Sequence, residues 1–253
     1  MKEKIYEASR PLLRGRKVTD LVVGISLLAV ELDGKDLAVS YVLRDELKGG
    51  CSVFPYVCQA IGMDAEEVGR WFVTGEDAVQ RAIGNAVLTA ASQTQNLVDS
   101  DSPFGVKLSA GDTVGMIGNI RPVAVQLKKS GCKMIVFDKG QCAEGCPEED
   151  VYPMERQEEL LAQCDVVFLS GTTTINGTIE PLLAMCKNAR DVVLIGASTP
   201  MIPEGFAGTK VSVLAGSWWN HEEKEKIFRL ISQAVGINGL GAYMIKKNVC
   251  IQK

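Results

Sequence analysis

The chain has 253 residues, 46% of them hydrophobic and 23% charged, and a formal net charge of −4. This is ordinary globular composition, which argues against disorder, and no basic surplus exists to displace the counterions of a nucleic acid. No apolar run approaches the ~20 residues that cross a bilayer, and the start Met1-Lys2-Glu3-Lys4-Ile5 lacks the apolar stretch of a signal peptide, so a cytoplasmic protein is expected.

In chain order, residues 3–13 read as an amphipathic helix that closes before Gly15, and Val18 to Ile25 as a strand. Leu28, Val30 and Leu32 then alternate with Ala29 and Glu31, Asp33-Gly34 supplies a tight turn, and Leu37, Val39, Tyr41 and Leu43 resume the alternation. That is the signature of a hairpin with one covered face. An irregular stretch rich in charge and glycine runs from Arg44 to Ser52. Asp64-Ala65-Glu66-Glu67 opens a helix with Val68, Trp71 and Phe72 as its apolar stripe. Gly75-Glu76-Asp77 opens another that runs to about Leu97, with small side chains that permit close approach to a neighbour. Residues 99–112, polar and broken by Pro103 and Gly111, mark the expected boundary between a smaller α+β domain, 1–100, and a second domain, 101–253.

The second part alternates strand and helix. Strands are expected at 113–118, 133–138, 165–170, 191–196 and 210–215, helices at 121–130, 154–163, 178–188 and 221–235, and a last strand between Ala242 and Ile251. Runs such as Val166-Val167-Phe168-Leu169 are continuously apolar, the pattern of strands covered on both faces. The expectation is an α/β fold, a Rossmann-like parallel sheet whose strand ends share one rim. Each run ends in small or polar residues, so five loops are expected to build one site there.

Gly118 and Asn119 let backbone N–H groups approach a ligand ahead of Pro122, although the spacing is not G-x-G-x-x-G. Asp138 is placed to accept hydrogen bonds from ribose hydroxyls, or else caps a helix. Gly171, Thr172 and Thr173 offer N–H and hydroxyl groups to an anion while Asn176 caps the next helix; alternatively the threonines satisfy the turn backbone. Ser198, Thr199 and Pro200 close the following strand, and Trp218 either stacks on a flat ring or packs. His221, at a helix start beside Asn220, reads as a solvated histidine rather than a catalytic one. Being the chain's single histidine, it excludes a multi-histidine zinc site within one subunit. The eight cysteines read as reduced thiols. Cys142 and Cys146 stand among acids, where two thiolates could hold a soft metal, but a solvated acidic loop is the simpler reading.

Taken together, Gly118-Asn119-Ile120-Arg121-Pro122, Ser170-Gly171-Thr172-Thr173 with Asn176-Gly177-Thr178, Gly196-Ala197-Ser198-Thr199-Pro200 and the strand end holding Gly216 resemble the DUF364 family, which is associated with heavy-metal chelation. The part before residue 100 is similar to that family's amino-terminal DUF4213 partner, of enolase amino-terminal-like fold. The resemblance implies a cleft between two domains and a link to flavin-, pterin- or siderophore-like chelators. Carried over by position, it points to Gly118, Asn119, Thr172, Thr173, Asn176, Ser198, Thr199 and Pro200, to the Gly49-Gly50-Cys51 turn and to Glu76. It also implies one departure, Thr89, where family members often carry asparagine.

Three functions are compatible with these features. The first is a protein that binds a nucleotide-, pterin- or siderophore-like ligand and condenses or hydrolyses it, with Glu76 or Cys51 as acid-base or nucleophilic groups. The second is a non-catalytic binder of a metal or metal chelate. The third is an enzyme using S-adenosylmethionine or a nicotinamide on the same scaffold. The expected partner is a small molecule, with neither nucleic acid nor membrane, and a homodimer is the default assembly.

Overall fold

The computed structural model describes residues 1–47, 49–50, 54–140 and 150–251. Helix α1 (Lys2–Leu13) buries Ile5, Tyr6, Ser9 and Leu13, a stripe at helical spacing. Strands β1 (Val18–Val23), β2 (Leu27–Leu32) and β3 (Asp36–Tyr41) form an antiparallel sheet in that order. The turn between β2 and β3 has Asp33 and Gly34 both at positive φ, 53° and 64°, as a two-residue hairpin of this twist requires. Every residue of β2 is buried. Leu28, Val30 and Leu32 pack with helices α3 (Ala65–Thr74) and α4 (Ala78–Ser92). Leu27 and Ala29 pack from the other side against Ile227 and Ile231 of the carboxy-terminal helix α10 (Lys224–Ser232). The alternating pattern therefore hides a second covered face, whose cover lies two hundred residues away.

A short helix, α2 (Val57–Ala60), precedes α3. Helix α4 starts later than the Gly75-Glu76 signal because Asp77 caps it, Oδ1 accepting the Gln80 amide at 2.8 Å. It ends at Ser92 rather than Leu97.

The second sheet contains β4 (Thr113–Ile117), β5 (Lys133–Phe137), β6 (Val166–Ser170), β7 (Asp191–Ile195), β8 (Val211–Trp219) and β9 (Met244–Cys250), in the order β5-β4-β6-β7-β8-β9. All neighbours are parallel except β8 and β9. Helix α5 (Arg121–Lys129) and the Phe104 turn cover one face, over Val114, Met116, Val136 and Phe168. Helices α6 (Gln157–Leu161), α7 (Thr172–Asn176), α8 (Ile179–Met185) and α9 (Pro203–Phe206) lie on the other, in one core with Ile83, Val87 and Leu88 of α4. Contact between the halves is tight: a Cβ on Gly205 of α9 would lie 2.8 Å from the Ile5 Cα of α1.

The fold is α/β, as its alternation of strand and helix implies. The expected helices of the second part are shorter, and two of them are preceded by a 3-10 turn, Met154–Arg156 before α6 and His221–Glu223 before α10. Strand β8 is longer than expected, running through Gly216 to Trp219, because β9 stays paired along its extension. No described helix is long and apolar enough to cross a membrane.

Candidate functional site

Strand β4 lies between β5 and β6, so the chain order reverses across it and the loops after β4 and β6 diverge. Such a switch point leaves a crevice beyond the strand ends. A cavity of about 740 Å³ opens there, and its lining extends along the whole rim to β9. The volume suits a small organic ligand.

The crevice is built by close backbone approaches. Gly118 turns the chain at φ 85° after β4, and the Asn119 amide then donates to Asp138 Oδ2 at 2.8 Å. Asp138 thus ties two adjacent loops together while lining the cavity. Gly171 donates its N–H to Ile195 O at 2.8 Å and sits so near the next loop that a Cβ would meet Thr199 N at 2.5 Å. The hydroxyls of Ser170 and Thr172 lie 2.8 Å apart at the cavity wall. Those of Thr173 and Thr174 turn back to the carbonyls of Ser170 and Gly171, at 2.7 and 2.8 Å. These two threonines satisfy their own turn.

The structure therefore brings Gly118, Asn119, Asp138, Gly171, Thr172 and Ser198 together around one cavity. It places the other candidates elsewhere. Thr173 and Thr199 are buried beside it, and Pro200 is buried too. The Asn176 side chain accepts from Thr178 N at 3.1 Å, outside the lining. Trp218 donates from Nε1 to Ser92 Oγ at 3.1 Å, on the opposite side of β8. Glu76 is exposed, outside the cavity, its amide held by Gln80 Oε1 at 2.8 Å. Cys51, Cys142 and Cys146 lie outside the described residues.

The first hundred residues contribute Tyr41 to the described lining, its hydroxyl pKa raised by burial. Ser198 is locked to the same segment, its Oγ accepting from Tyr41 N at 2.9 Å and lying 3.1 Å from Ser40 Oγ. Fully buried Asn85 of α4 completes the joint, donating from Nδ2 to Ser198 O at 3.0 Å and to Ser40 Oγ at 3.3 Å. Thr89, one turn on, bonds back to Asn85 O at 2.9 Å. The buried amide of this helix is Asn85, and it braces the groove without entering it. Replacing Asn85 by Ala is expected to cost about 2 kcal/mol, since Ser198 O and Ser40 Oγ each lose a buried partner; urea unfolding measures it.

A family model described as "Putative heavy-metal chelation", DUF364, matches residues 102–250, and DUF4213, with the same description, matches residues 6–92. The chain belongs to the DUF364 family. A DUF364 protein of unknown function from Pyrococcus horikoshii superposes with a TM-score of 0.79 at 21% identity, covering 99% of both chains. Another, from Desulfitobacterium hafniense DCB-2, gives 0.77 at 19% identity and 98% of both. These two show the fold alone. An uncharacterized protein of Methanocaldococcus jannaschii is 29% identical over 146 residues, which span 56% of this chain and 55% of that protein.

The chelation description of the DUF364 family makes the donor set of interest. Among the described residues, no three His, Cys, Asp or Glu side chains converge to hold a metal ion. Burial pushes the Cys164 thiol up to about 12 and the Cys186 thiol up to about 11, so neither offers a thiolate at neutral pH. His221 is partly exposed, as its position suggested, but its ring is also held by a buried partner. Its Nε2 lies 2.7 Å from Glu31 Oε1, and Glu31 is buried within β2. An ionised carboxylate only accepts, so Nε2 carries the proton.

Proposed function

We propose that the groove binds an organic small molecule with a flat ring body, nucleotide-, pterin- or siderophore-like, and that any heavy metal is handled through the donors of that ligand. One observation carries this reading: the loops after β4, β5, β6 and β7 and the paired strands β8 and β9 line a single groove that begins at the switch point. The described protein side chains supply hydrogen-bonding groups there rather than a metal-binding set. Among the described residues, the lining carries one carboxylate, Asp138, which already holds the Asn119 amide. That favours binding over acid-base turnover.

Thermal unfolding with S-adenosylmethionine, NAD, flavins and pterins tests the reading. A ligand at 100 times its Kd adds about 2.7 kcal/mol, which raises Tm by roughly 5–10 °C for a chain of this size. A divalent metal alone is expected to shift Tm little, and Glu76→Gln to leave ligand binding unchanged. A shift with metal alone, and with none of the organic ligands, would instead make the protein a direct metal binder.

A further inference from the structure

The pairing of β8 with β9 sets out a second recognition element, whose role rests on the groove being a ligand-binding site. The last residue of β7, Ile195, pairs with Ala215, yet β8 continues to Trp219, matched by β9 as far as Met244. The two strands rise past the rim by four residues, about 13 Å at ~3.3 Å per residue. Cross-strand partners share a face. Ala215 pairs with Asn248 and Ser217 with Lys246, and all four line the groove.

Two adjacent lysines then face different surroundings. Lys247 pairs with Asp99 at 2.7 Å and lies 4.7 Å from the centroid of the Trp218 ring. Lys246 turns to the groove, where it makes no ion pair or hydrogen bond with any described residue. Nor do the side chains of Ser217, 3% exposed, and Asn248 bond to a described residue. The only other charge among the described lining residues, Asp138, follows β5 at the opposite edge of the sheet. Five strand spacings of ~4.8 Å separate those edges, about 24 Å. The ribbon thus presents an uncompensated ammonium, a hydroxyl and an amide in a largely apolar groove.

We propose that this ribbon binds an anionic group, a phosphate or carboxylate, at one end of an elongated ligand whose ring lies over the switch point. Lys246 supplies the opposite charge, and Ser217 and Asn248 donate hydrogen bonds to the oxygens. Lysine suits this as a mobile point charge that can follow the oxygens of the anionic group.

Calorimetric titration with riboflavin and its 5′-phosphate, and with adenosine and its 5′-phosphate, tests the assignment, the members of each pair differing only in the phosphate. At low salt the phosphorylated member of the pair whose ring is accepted is expected to bind about tenfold more tightly. Lys246→Met is expected to abolish that preference by weakening the phosphorylated member's binding about tenfold more than the neutral member's. Lys246→Glu is expected to reverse the preference. Inorganic phosphate is expected to weaken binding of the phosphorylated member only. Both variants should keep the parent Tm, since Lys246 is exposed. Equal binding of both members to the parent protein, or a preference that survives Lys246→Met, would overturn the assignment yet leave the groove as a ring-binding site. Failure of all four compounds to bind would remove the ring-binding groove and this assignment with it.

Discussion

Gly84→Ala is expected to destabilise the protein by about 3 kcal/mol, although alanine is normally the better helix former by ~1 kcal/mol. Gly84 lies inside α4, where an added Cβ would sit 2.1 Å from Phe72 N and 2.8 Å from both Phe72 Cα and Trp71 C of α3. These are backbone atoms of a neighbouring helix, so no rotamer change relieves the clash and the two helices must separate. Phe72, Val87 and Leu88 are all buried in the core around that contact, and separation would open voids among them. The next residue, Asn85, braces Ser40 and Ser198, so the displacement would reach the groove wall and weaken ligand binding as well. Gly236→Ala is the control: nothing lies within 4 Å of its added Cβ, and a change within about 0.5 kcal/mol is expected there. Urea unfolding of both variants decides the matter. An unchanged or raised midpoint for Gly84→Ala would mean that α3 and α4 do not approach as described.

Much of this architecture was legible because local chemistry and tertiary environment agree. Val192-Val193-Leu194-Ile195 is covered on both faces and reads that way; Asp33-Gly34 adopts the positive φ values its composition favours. The groove's switch-point half was legible for the same reason, since Gly118, Asp138 and Gly171 punctuate apolar runs at the rim. Legibility failed where a residue's role depends on a distant partner. Gly216-Ser217 looks like loop punctuation, yet β9 holds it in a strand that places Ser217 and Lys246 on the groove. Glu76 looks like a helix-start acid, but Asp77 takes the cap and Glu76 is left in solvent. The threonines of the densest polar loop divide: Thr172 faces the cavity and Thr173 serves its turn. Phe104, at φ 58° with its ring edge-on to Phe168, lines the cavity from a segment that reads only as a polar linker.

His221 is the sharpest case of a distant partner, because Glu31 lies 190 positions away. The same carboxylate supports the second large prediction, a loss of about 3 kcal/mol at pH 7 for Lys224→Met. Glu31 is 3% exposed. Its Oε1 meets His221 Nε2 at 2.7 Å and Lys224 Nζ at 3.1 Å, and its Oε2 accepts from Thr19 Oγ1 at 2.6 Å. Burial pushes this carboxyl up, but the bonds from Thr19, His221 and Lys224 outweigh burial and hold it below the usual carboxylate range. A depressed folded value stabilises the protein above the unfolded value of about 4.3, and that contribution disappears as pH falls through the folded value. Lys224→Met leaves the carboxylate buried without its ammonium. Burial is then opposed only by the bonds from Thr19 and His221, the folded value rises, and the protein gains less stability from this group on going from acid to neutral pH. The difference between parent and variant should therefore widen from pH 4 to pH 7. Asp20, 2.7 Å from Lys224 Nζ but 37% exposed, adds a smaller share. Lys226→Met removes an exposed pair with Glu223 and is expected to cost under about 0.5 kcal/mol at any of these pH values. Urea unfolding at pH 4, 5.5 and 7 distinguishes the two lysines. A penalty for Lys224→Met that stays the same across the series would show that Glu31 is not what makes this lysine matter.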